Sequence, residues 1–518
     1  MPVAFRDSSV IIIENGRTLI RAGIGLHDLL KTPSVTIPAR VGFRKSTSQG
    51  SGDNTNADSN GRSSSTPLDI NGIGRSSAST SRASSLPYQT NPSAKVTDYL
   101  VGAQLDEALE AGQDIAISWP FADGDVRDWI QAEAIWKYVI FNILQLRRAQ
   151  NESPVLLSIT PAFSRHGYER ICQTFFERFN VAGFSLVERP MAQIYAANSL
   201  SGVVVDIGYE TTDITPIHNG FPIRAAQTTT SLGIRDCQKY LAHLLRSNQS
   251  ILSVISPPDN PSSPEVVEKY LADLVKHVWE EGLVKVPSHG QTVDIPDDEG
   301  VTDIAAVLVA GKEKAVIETG LKKKATAKAS AAEQARAKEI EAMDLVTTSF
   351  RDQTLTLGKE RHRFCEPLFD PTLLRTLPGF DLECDFDTIM PLQDAVGHAV
   401  GQTEVDQRQD IWQGLFVTGD LTNHVKGIGT ALQSRLAPFI LTNPDQLNEV
   451  QARVIRVLNV PEYFAEYREK GDGLAAFLGT SIVAKVAFND SQGKNFVTKS
   501  DYTEKGPKAI IEMSPTLL

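Results

Sequence analysis

The chain has 518 residues, 41% of them hydrophobic, which is enough for two or more domains with buried cores. A formal net charge of −12 argues against a broad electrostatic surface for nucleic acid. The four cysteines lack metal-ligand spacing, and no apolar run reaches the roughly 18 residues of a membrane span. With no signal-like segment at the start, these features predict a nuclear or cytosolic protein with reduced thiols.

The first predicted element is a β-hairpin that turns at Glu14-Asn15-Gly16 after the apolar run of residues 10–13. A second hairpin of the same design turns at Asp206-Ile207-Gly208 after Val203. Two such hairpins predict a duplicated α/β core, in which facing glycine turns could hold a polyphosphate and carboxylates could order a magnesium ion's waters. The alternative is a pair of ordinary hairpins.

Between the hairpins, residues 45–95 are rich in Ser, Thr, Asn and Gly, so we expect a disordered insertion. Order is predicted to return with a strand at 114–121 and a helix capped by Asp128. The strand at 154–159 and helices over 167–179 and 190–197 continue an alternation that predicts a mostly parallel sheet.

Beyond the second hairpin, an amphipathic helix is predicted over 265–282, and a charged, partly helical insertion over about 283–350. Its Ala/Lys/Glu run at 322–343 is interpreted as a solvated helix, with a nucleic-acid or partner surface as the alternative. A strand ending at Gly419 and helices over 427–436 and 477–489 follow.

Several of these segments resemble actin. They are residues 119–129, the ungapped run from Tyr195 to Phe221, residues 358–369 and the ending 499–507. The resemblance implies the duplicated α/β, RNase H-type fold shared by actin, sugar kinases and heat-shock ATPases, with two halves that each carry a smaller subdomain. The first half would comprise 1–196 plus 471–518, and the second half 197–470.

Within that family, the chain resembles the divergent nuclear actin-related proteins of the SWI/SNF and RSC chromatin remodellers. Residues 461–467, 477–479 and 505–507 carry this likeness. It implies a non-catalytic subunit in the nucleus that binds a helix of the motor ATPase subunit beside another actin-related protein. Other remodeller subunits would be further partners, contact with the nucleosome would be indirect, and no membrane is expected.

The resemblance also places a vestigial nucleotide pocket, consisting of Glu14, Gly16, Arg21, Asp206, Gly208 and Gly419. Arg21 stands at the phosphate-binding lysine, and Arg17 replaces a serine that touches the terminal phosphate. The catalytic glutamine falls on Arg189, whose guanidinium offers donors only and cannot accept a proton. Asp213 stands at a histidine that helps to arrange the attacking water.

Other positions of the pocket also depart from the family. Tyr209 and Glu210 replace an aspartate and a glycine, and Asp420 replaces the second glycine of the third loop. The family's lysine and glutamate on the adenosine side of the pocket align loosely with Val275 and Lys276. We therefore expect no catalytic residue, no metal site and no tightly bound cofactor, ATP with magnesium included. The alternatives are an ATP-binding switch or weak ATPase of the same superfold, and a different anion site rebuilt by the three arginines.

A partner groove is implied between the halves, lined by Tyr195, Gly220, Phe221, Val483, Val486 and Phe488. All but Gly220 are apolar or aromatic, which suits the docking of an amphipathic helix. The two valines could instead pack inward. A cytoskeletal filament is disfavoured because the serine-rich insertion replaces the segment that docks into a neighbouring actin subunit.

Overall fold

The computed structural model describes residues 5–26, 31–45, 84–161, 163–256, 262–286, 344–377, 389–440, 454–490 and 493–514. The strands in these ranges are β1 Ile11–Asn15, β2 Leu19–Ile24, β3 Val35–Pro38, β4 Val41–Arg44, β5 Tyr99–Val101, β6 Ile115–Ser118, β7 Pro154–Ile159, β8 Gly183–Glu188, β9 Gly202–Ile207, β10 Thr212–His218, β11 Phe221–Pro222, β12 Thr228–Thr230, β13 Val346–Phe350, β14 Gln353–Leu357, β15 Leu415–Thr418 and β16 Val497–Thr498.

The α-helices in the same ranges are α1 Ala103–Glu110, α2 Trp129–Lys137, α3 Arg165–Gln173, α4 Arg189–Ala196, α5 Ile234–Arg246, α6 Gln249–Ile255, α7 Pro264–Glu280, α8 Glu366–Phe369, α9 Leu392–Gly401, α10 Arg408–Trp412, α11 Ile428–Leu436, α12 Ala465–Lys470, α13 Ala475–Phe488, α14 Lys499–Lys505 and α15 Ala509–Met513. Asp128 caps α2 as predicted, accepting from the backbone N–H of Ile130 at 2.8 Å.

The two predicted hairpins form the centres of two separate sheets. In the first sheet, β1 pairs antiparallel with β2 and parallel with β7, within the order β16-β8-β7-β1-β2-β3. In the second sheet, β9 pairs antiparallel with β10 and parallel with β15. The same local arrangement therefore occurs twice, and the predicted duplicated α/β core is confirmed.

Two hydrophobic clusters fill the regions beside these sheets, and a third cluster joins them. The third cluster contains Ile12 of β1, Val204 of β9 and Leu478 of α13. Helices α4 and α13 pack closely because Gly479 has no side chain; a Cβ there would lie 1.7 Å from the carbonyl oxygen of Ala192. After α13 the chain returns to the first sheet, where β16 pairs with β8.

The predicted insertion 45–95 is too long at its C-terminal end. Residues 84–95 are packed on the body: Ala94 is buried, and the Tyr88 hydroxyl donates to the carbonyl of Arg127 at 3.0 Å. The serine-rich composition does not predict this packing, because backbone groups make several of the contacts. One is the hydrogen bond from the Trp119 N–H to the Pro87 carbonyl at 3.0 Å. Residues 46–83 lie outside the described residues.

The second insertion, predicted over about 283–350, is also shorter than predicted, because residues at both of its ends are packed on the body. Val284 and Val286 are buried, and β13 pairs with β14 in a two-stranded sheet. The interpretation of 322–343 as a helix falls outside the described residues. Across the described ranges, no helix combines the length and apolar character needed to span a membrane, and no cluster of metal-ligating side chains is present.

Candidate functional site

The two hairpin turns face each other at the cleft between the sheets, and a third turn lies beside them. Gly16 and Gly208 close their turns alike, each N–H donating at 2.9 Å to the carbonyl of Leu19 or Thr211. Gly419 adopts φ +103° and lies so close to Ile207 that a Cβ would meet its carbonyl oxygen at 2.2 Å. These glycines therefore have local steric roles that a larger residue could not fill.

Arg189, the first residue of α4, occupies the centre of this cleft. Its Nη1 donates to Glu14 Oε1 at 2.5 Å, and its Nε donates to Asp206 Oδ2 at 2.6 Å. Gln193, one turn further along α4, also donates to Asp206, at 2.8 Å. One guanidinium thus joins β1 to β9.

Two further arginines bridge the same cleft. Arg21 donates to Glu14 at 2.9 Å and also to Asp420. Arg17 forms a two-point ion pair with Asp213, in which Nη2 lies 2.9 Å from both carboxylate oxygens. The three arginines that family resemblance placed in the pocket are therefore already paired with the protein's own carboxylates.

The resulting network has no excess of positive charge for an incoming phosphate. It unites three arginines with four carboxylates, namely Arg17, Arg21, Arg189, Glu14, Asp206, Asp213 and Asp420. Burial acts to raise the pKa of Asp206, but the charge of Arg189 and the hydrogen bonds from Arg189 and Gln193 outweigh it, so this pKa is lowered. The pKa of Arg189 is raised because Asp206 and Glu14 outweigh its desolvation.

Glu210, which replaces a glycine of the family's second loop, points away from this network. It accepts hydrogen bonds from Ser84, Ser85 and Arg235. The backbone N–H of Ser85 lies 3.0 Å from Oε1. The charge of Glu210 is therefore paired in a contact with Arg235 and the end of the insertion.

The residues expected in the partner groove differ in exposure. Phe221 is 61% and Val486 66% exposed, Tyr195 is half-buried, and Val483 is buried. Gly220 adopts φ +82°, and a Cβ added to it would lie 3.6 Å from the hydroxyl oxygen of Tyr195. Tyr195 packs against the hydrophobic cluster that contains Val483. Phe221 and Val486 are therefore the most exposed members of the expected groove surface.

Phe488 does not lie on that surface. It is 3% exposed and packs against Phe5 and Phe496, with ring centroids 5.8 and 5.3 Å apart. The expectation that Phe488 is an exposed aromatic anchor is therefore wrong, because α13 turns this side chain into the core. Val483 packs inward as well, as the alternative interpretation of the valines allowed.

Comparison with known protein families decides the relationship. The family model described as Actin matches residues 5–514. This chain belongs to the actin family. Its fold is accordingly the actin-like duplicated α/β fold.

Among curated actin-family relatives, one covers nearly the whole chain. The fission yeast (Schizosaccharomyces pombe) protein named SWI/SNF and RSC complexes subunit arp9 is 25% identical over 98% of this chain and 99% of its own length. Actin-related protein 4 of Arabidopsis thaliana is 22% identical, over 76% of this chain and 79% of its own. Centractin of fission yeast is 30% identical over 41% of this chain and 54% of its own. The predicted resemblance to actin-related proteins of SWI/SNF and RSC is confirmed.

The actin-family cleft of this chain does not fit a nucleoside triphosphate with magnesium. The remaining cavity between Arg17, Arg189 and Gly208 has a volume of about 40 Å³, whereas pockets for small ligands measure roughly 300–1,000 Å³. Val275 is buried in the second-half core, and Lys276 lies 3.9 Å from Glu280, so neither lines the cavity. A triphosphate would have to displace several buried ion pairs.

Each substitution in the cleft was predicted from the sequence, but the ion pairs between the substituted arginines and carboxylates were not. The signal was available, since positive and negative replacements occur together at positions that the family places around one ligand. Nothing in the sequence pointed to Arg235, Ser84 or Ser85, because these residues lie outside the family's nucleotide motifs.

A larger cavity of about 760 Å³ lies elsewhere, between residues 197–201 and 456–462.

Proposed function

We propose that this protein is a non-catalytic, architectural actin-related subunit of an ATP-dependent chromatin-remodelling complex in the nucleus. It would bind an amphipathic helix of the motor ATPase subunit, paired with another actin-related protein. Other remodeller subunits would complete the assembly and make the direct nucleosome contacts. The proposal is supported by the near full-length likeness to a subunit named for the SWI/SNF and RSC complexes.

One observation carries the non-catalytic part of the proposal. Arg189 stands where the family has its catalytic glutamine, and it is held by Glu14 at 2.5 Å and Asp206 at 2.6 Å. A guanidinium cannot accept a proton from water, and this one is buried and doubly paired. The halves are thus joined by side chains where nucleotide and magnesium would otherwise join them.

The partner groove supports the helix-binding part. Phe221 and Val486 are large apolar side chains that remain more than half exposed, so both are available for contact with a partner. Tyr195 is half-buried against the hydrophobic cluster that contains Val483. An amphipathic helix with apolar residues at three- and four-residue spacing would bury the exposed side chains of Phe221 and Val486 together.

The test is affinity purification of the tagged full chain from nuclear extract, followed by mass spectrometry. We expect a remodeller motor ATPase and a second actin-related protein at near-stoichiometric amounts. A Phe221→Asp, Val486→Asp variant should lose the motor subunit while circular dichroism shows that it is folded. Recovery of neither partner with the wild-type chain would contradict the proposed function.

A second candidate is an ATP-binding switch or weak ATPase of the same superfold. The observation in its favour is that Asp206, Gly16, Gly208 and Gly419 remain at the pocket positions that the family resemblance assigns, and that Gly16 and Gly208 close their turns alike. Acid extraction of the purified protein followed by nucleotide chromatography separates the two candidates. Stoichiometric adenine nucleotide in the extract would favour the switch.

A further inference from the structure

The end of the serine-rich insertion makes a contact with the second half that neither the fold nor the proposed function requires. Ser84 and Ser85 both donate their hydroxyl hydrogens to the carboxylate of Glu210, and the Ser85 N–H donates to it at 3.0 Å. Arg235 donates to the same Glu210 oxygen and to the Ser85 hydroxyl. We call these four residues the cleft latch.

The latch joins two separately anchored pieces of the protein. Residues 84–91 are held on the first half, where the Gln89 carbonyl accepts from Gln131 at 2.7 Å. On the second half, Arg235 is the second residue of α5, and its N–H donates to the Tyr209 carbonyl at 2.9 Å. The latch therefore connects the halves at a point beside the arginine network.

Ser85 has the properties of a modifiable position within this latch. It is exposed, whereas Ser84 is partly buried and Glu210 and Arg235 are buried. In the sequence, Arg82 precedes Ser85 by three residues, a spacing of basic charge that one class of serine kinase uses to select substrates.

A phosphate on Ser85 would reverse the electrostatics of the contact. The modified oxygen becomes an ester and can no longer donate to Glu210, and the group adds about −1.5 to −2 charges. Arg235 is already shared with Glu210 and lies 3.6 Å from Asp236, so its positive charge is partly neutralised before a phosphate is added. Burial acts to raise the pKa of Glu210, but the serine hydrogen bonds and Arg235 lower it, which keeps this carboxylate ionised at neutral pH.

We propose that Ser85 is a phosphorylation site and that its phosphorylation releases residues 84–91 from the second half. A serine kinase would transfer the γ-phosphoryl group of ATP to Ser85 Oγ. The Oγ–P bond forms as the bond from phosphorus to the β,γ-bridging oxygen breaks, ADP leaves, and the hydroxyl proton passes to the kinase's base. Because repulsion and a lost donor act together, the modified latch opens.

The test compares the full chain carrying genetically encoded phosphoserine at position 85 with the unmodified chain. Hydrogen–deuterium exchange should be faster by on the order of tenfold in peptides covering 84–91 and 208–212. Phosphoserine at position 93 is the matched control, because Ser93 is exposed and its hydroxyl donates locally to Asn91 at 2.8 Å. Exchange in the control should equal that of the unmodified chain.

Two results would overturn the inference. One is equal exchange in the phosphoserine-85 and unmodified chains. The other is the absence of phosphate on Ser85, by tandem mass spectrometry, in protein purified from its own cells with phosphatase inhibitors. The exchange measurement uses this chain without its partners, and the detection of phosphate on Ser85 does not depend on which partners co-purify, so both are independent of the proposed remodeller role.

Discussion

Arg17 and Asp213, which are 196 residues apart in sequence, form a two-point ion pair between the two hairpins of like design. Asp213 also accepts a hydrogen bond from Thr229 at 2.8 Å, which holds its carboxylate in place. This pair closes the mouth of a cleft whose interior is filled by Arg189 and Arg21 with their carboxylates. The cleft is thus bridged by the chain itself, and several consequences can be measured.

Removing the central cation should destabilise the fold. In Arg189→Gln, Asp206 would lose its ion pair while remaining largely buried, and Glu14 would keep only Arg21, so we expect a loss of about 3–5 kcal/mol of unfolding free energy. Denaturant titration followed by circular dichroism measures it. Arg40→Gln is the matched control, because its partner Asp106 is 46% exposed and such pairs contribute about 0.2–1 kcal/mol. Equal losses in the two variants would contradict the central role of Arg189.

The network also predicts a pH dependence. The pKa of Asp206 is lowered in the fold, since Arg189 and its hydrogen bonds outweigh burial. Unfolded chains bind the proton near the ordinary value of about 3.9, so the stability from Asp206 is fully present above that pH. It is lost as the pH falls through the folded pKa. Asp206→Asn should therefore show a shallower loss of unfolding free energy below about pH 4 than the wild type, and identical slopes would refute this.

We predict that ATP turnover is undetectable, because Arg189 and Asp213 stand where the resemblance to actin places the glutamine and histidine that arrange the attacking water, and the remaining cavity is about 40 Å³. Restoring glutamine at position 189 alone should not create activity, since residues that act as a unit must be present together. Phosphate release is measured by a coupled assay on the purified full chain. Steady release that Asp206→Asn abolishes would overturn the prediction.

Phe221 and Phe488 should respond differently to truncation. Phe221 is exposed, so Phe221→Ala should keep the fold and weaken capture of the motor-subunit helix by about 1–3 kcal/mol. Phe488→Ala should instead lower the unfolding free energy by about 3–5 kcal/mol, because it empties a core position. Calorimetric titration with the helical segment that precedes the motor's ATPase domain gives the first value, and denaturant titration gives the second.

Tyr463→Ala supplies the matched control for the helix titration. Tyr463 is an aromatic residue as exposed as Phe221, at 63% against 61%, and it lies outside the proposed groove. Its truncation should leave the affinity for the helix unchanged. Unchanged affinity in Phe221→Ala, with the variant folded, would place the helix elsewhere on this protein.

Two nested deletions test where the first insertion ends. Removing 46–83 should leave the melting temperature nearly unchanged, because this serine-rich composition can bury little apolar surface. Removing 46–93 should lower it by several degrees, since it also deletes the Tyr88 and Gln89 contacts with Arg127 and Gln131. Equal melting temperatures for the two deletions would show that residues 84–93 contribute nothing to stability.

The amino-acid sequence by itself determined the two hairpins, the capped helix α2 and the family. Turn residues such as Asn15-Gly16 and the alternation of apolar runs act over a few neighbouring positions, so they can be recognised without tertiary information. The substitutions in the cleft could also be named residue by residue, because the motif around Asp206 aligns without gaps.

Only the tertiary structure decided what those substitutions do. Whether Arg189 faces a phosphate or a carboxylate depends on β1, β9 and α4 meeting at one point, and those elements are far apart in sequence. Phe488 lies on a helix with apolar residues on nearly every side, so periodicity could not tell its buried face from its exposed one. Glu210 likewise turned to Ser85 and Arg235 because that contact pairs its charge, and a long-range pairing of this kind leaves no periodic trace in the sequence.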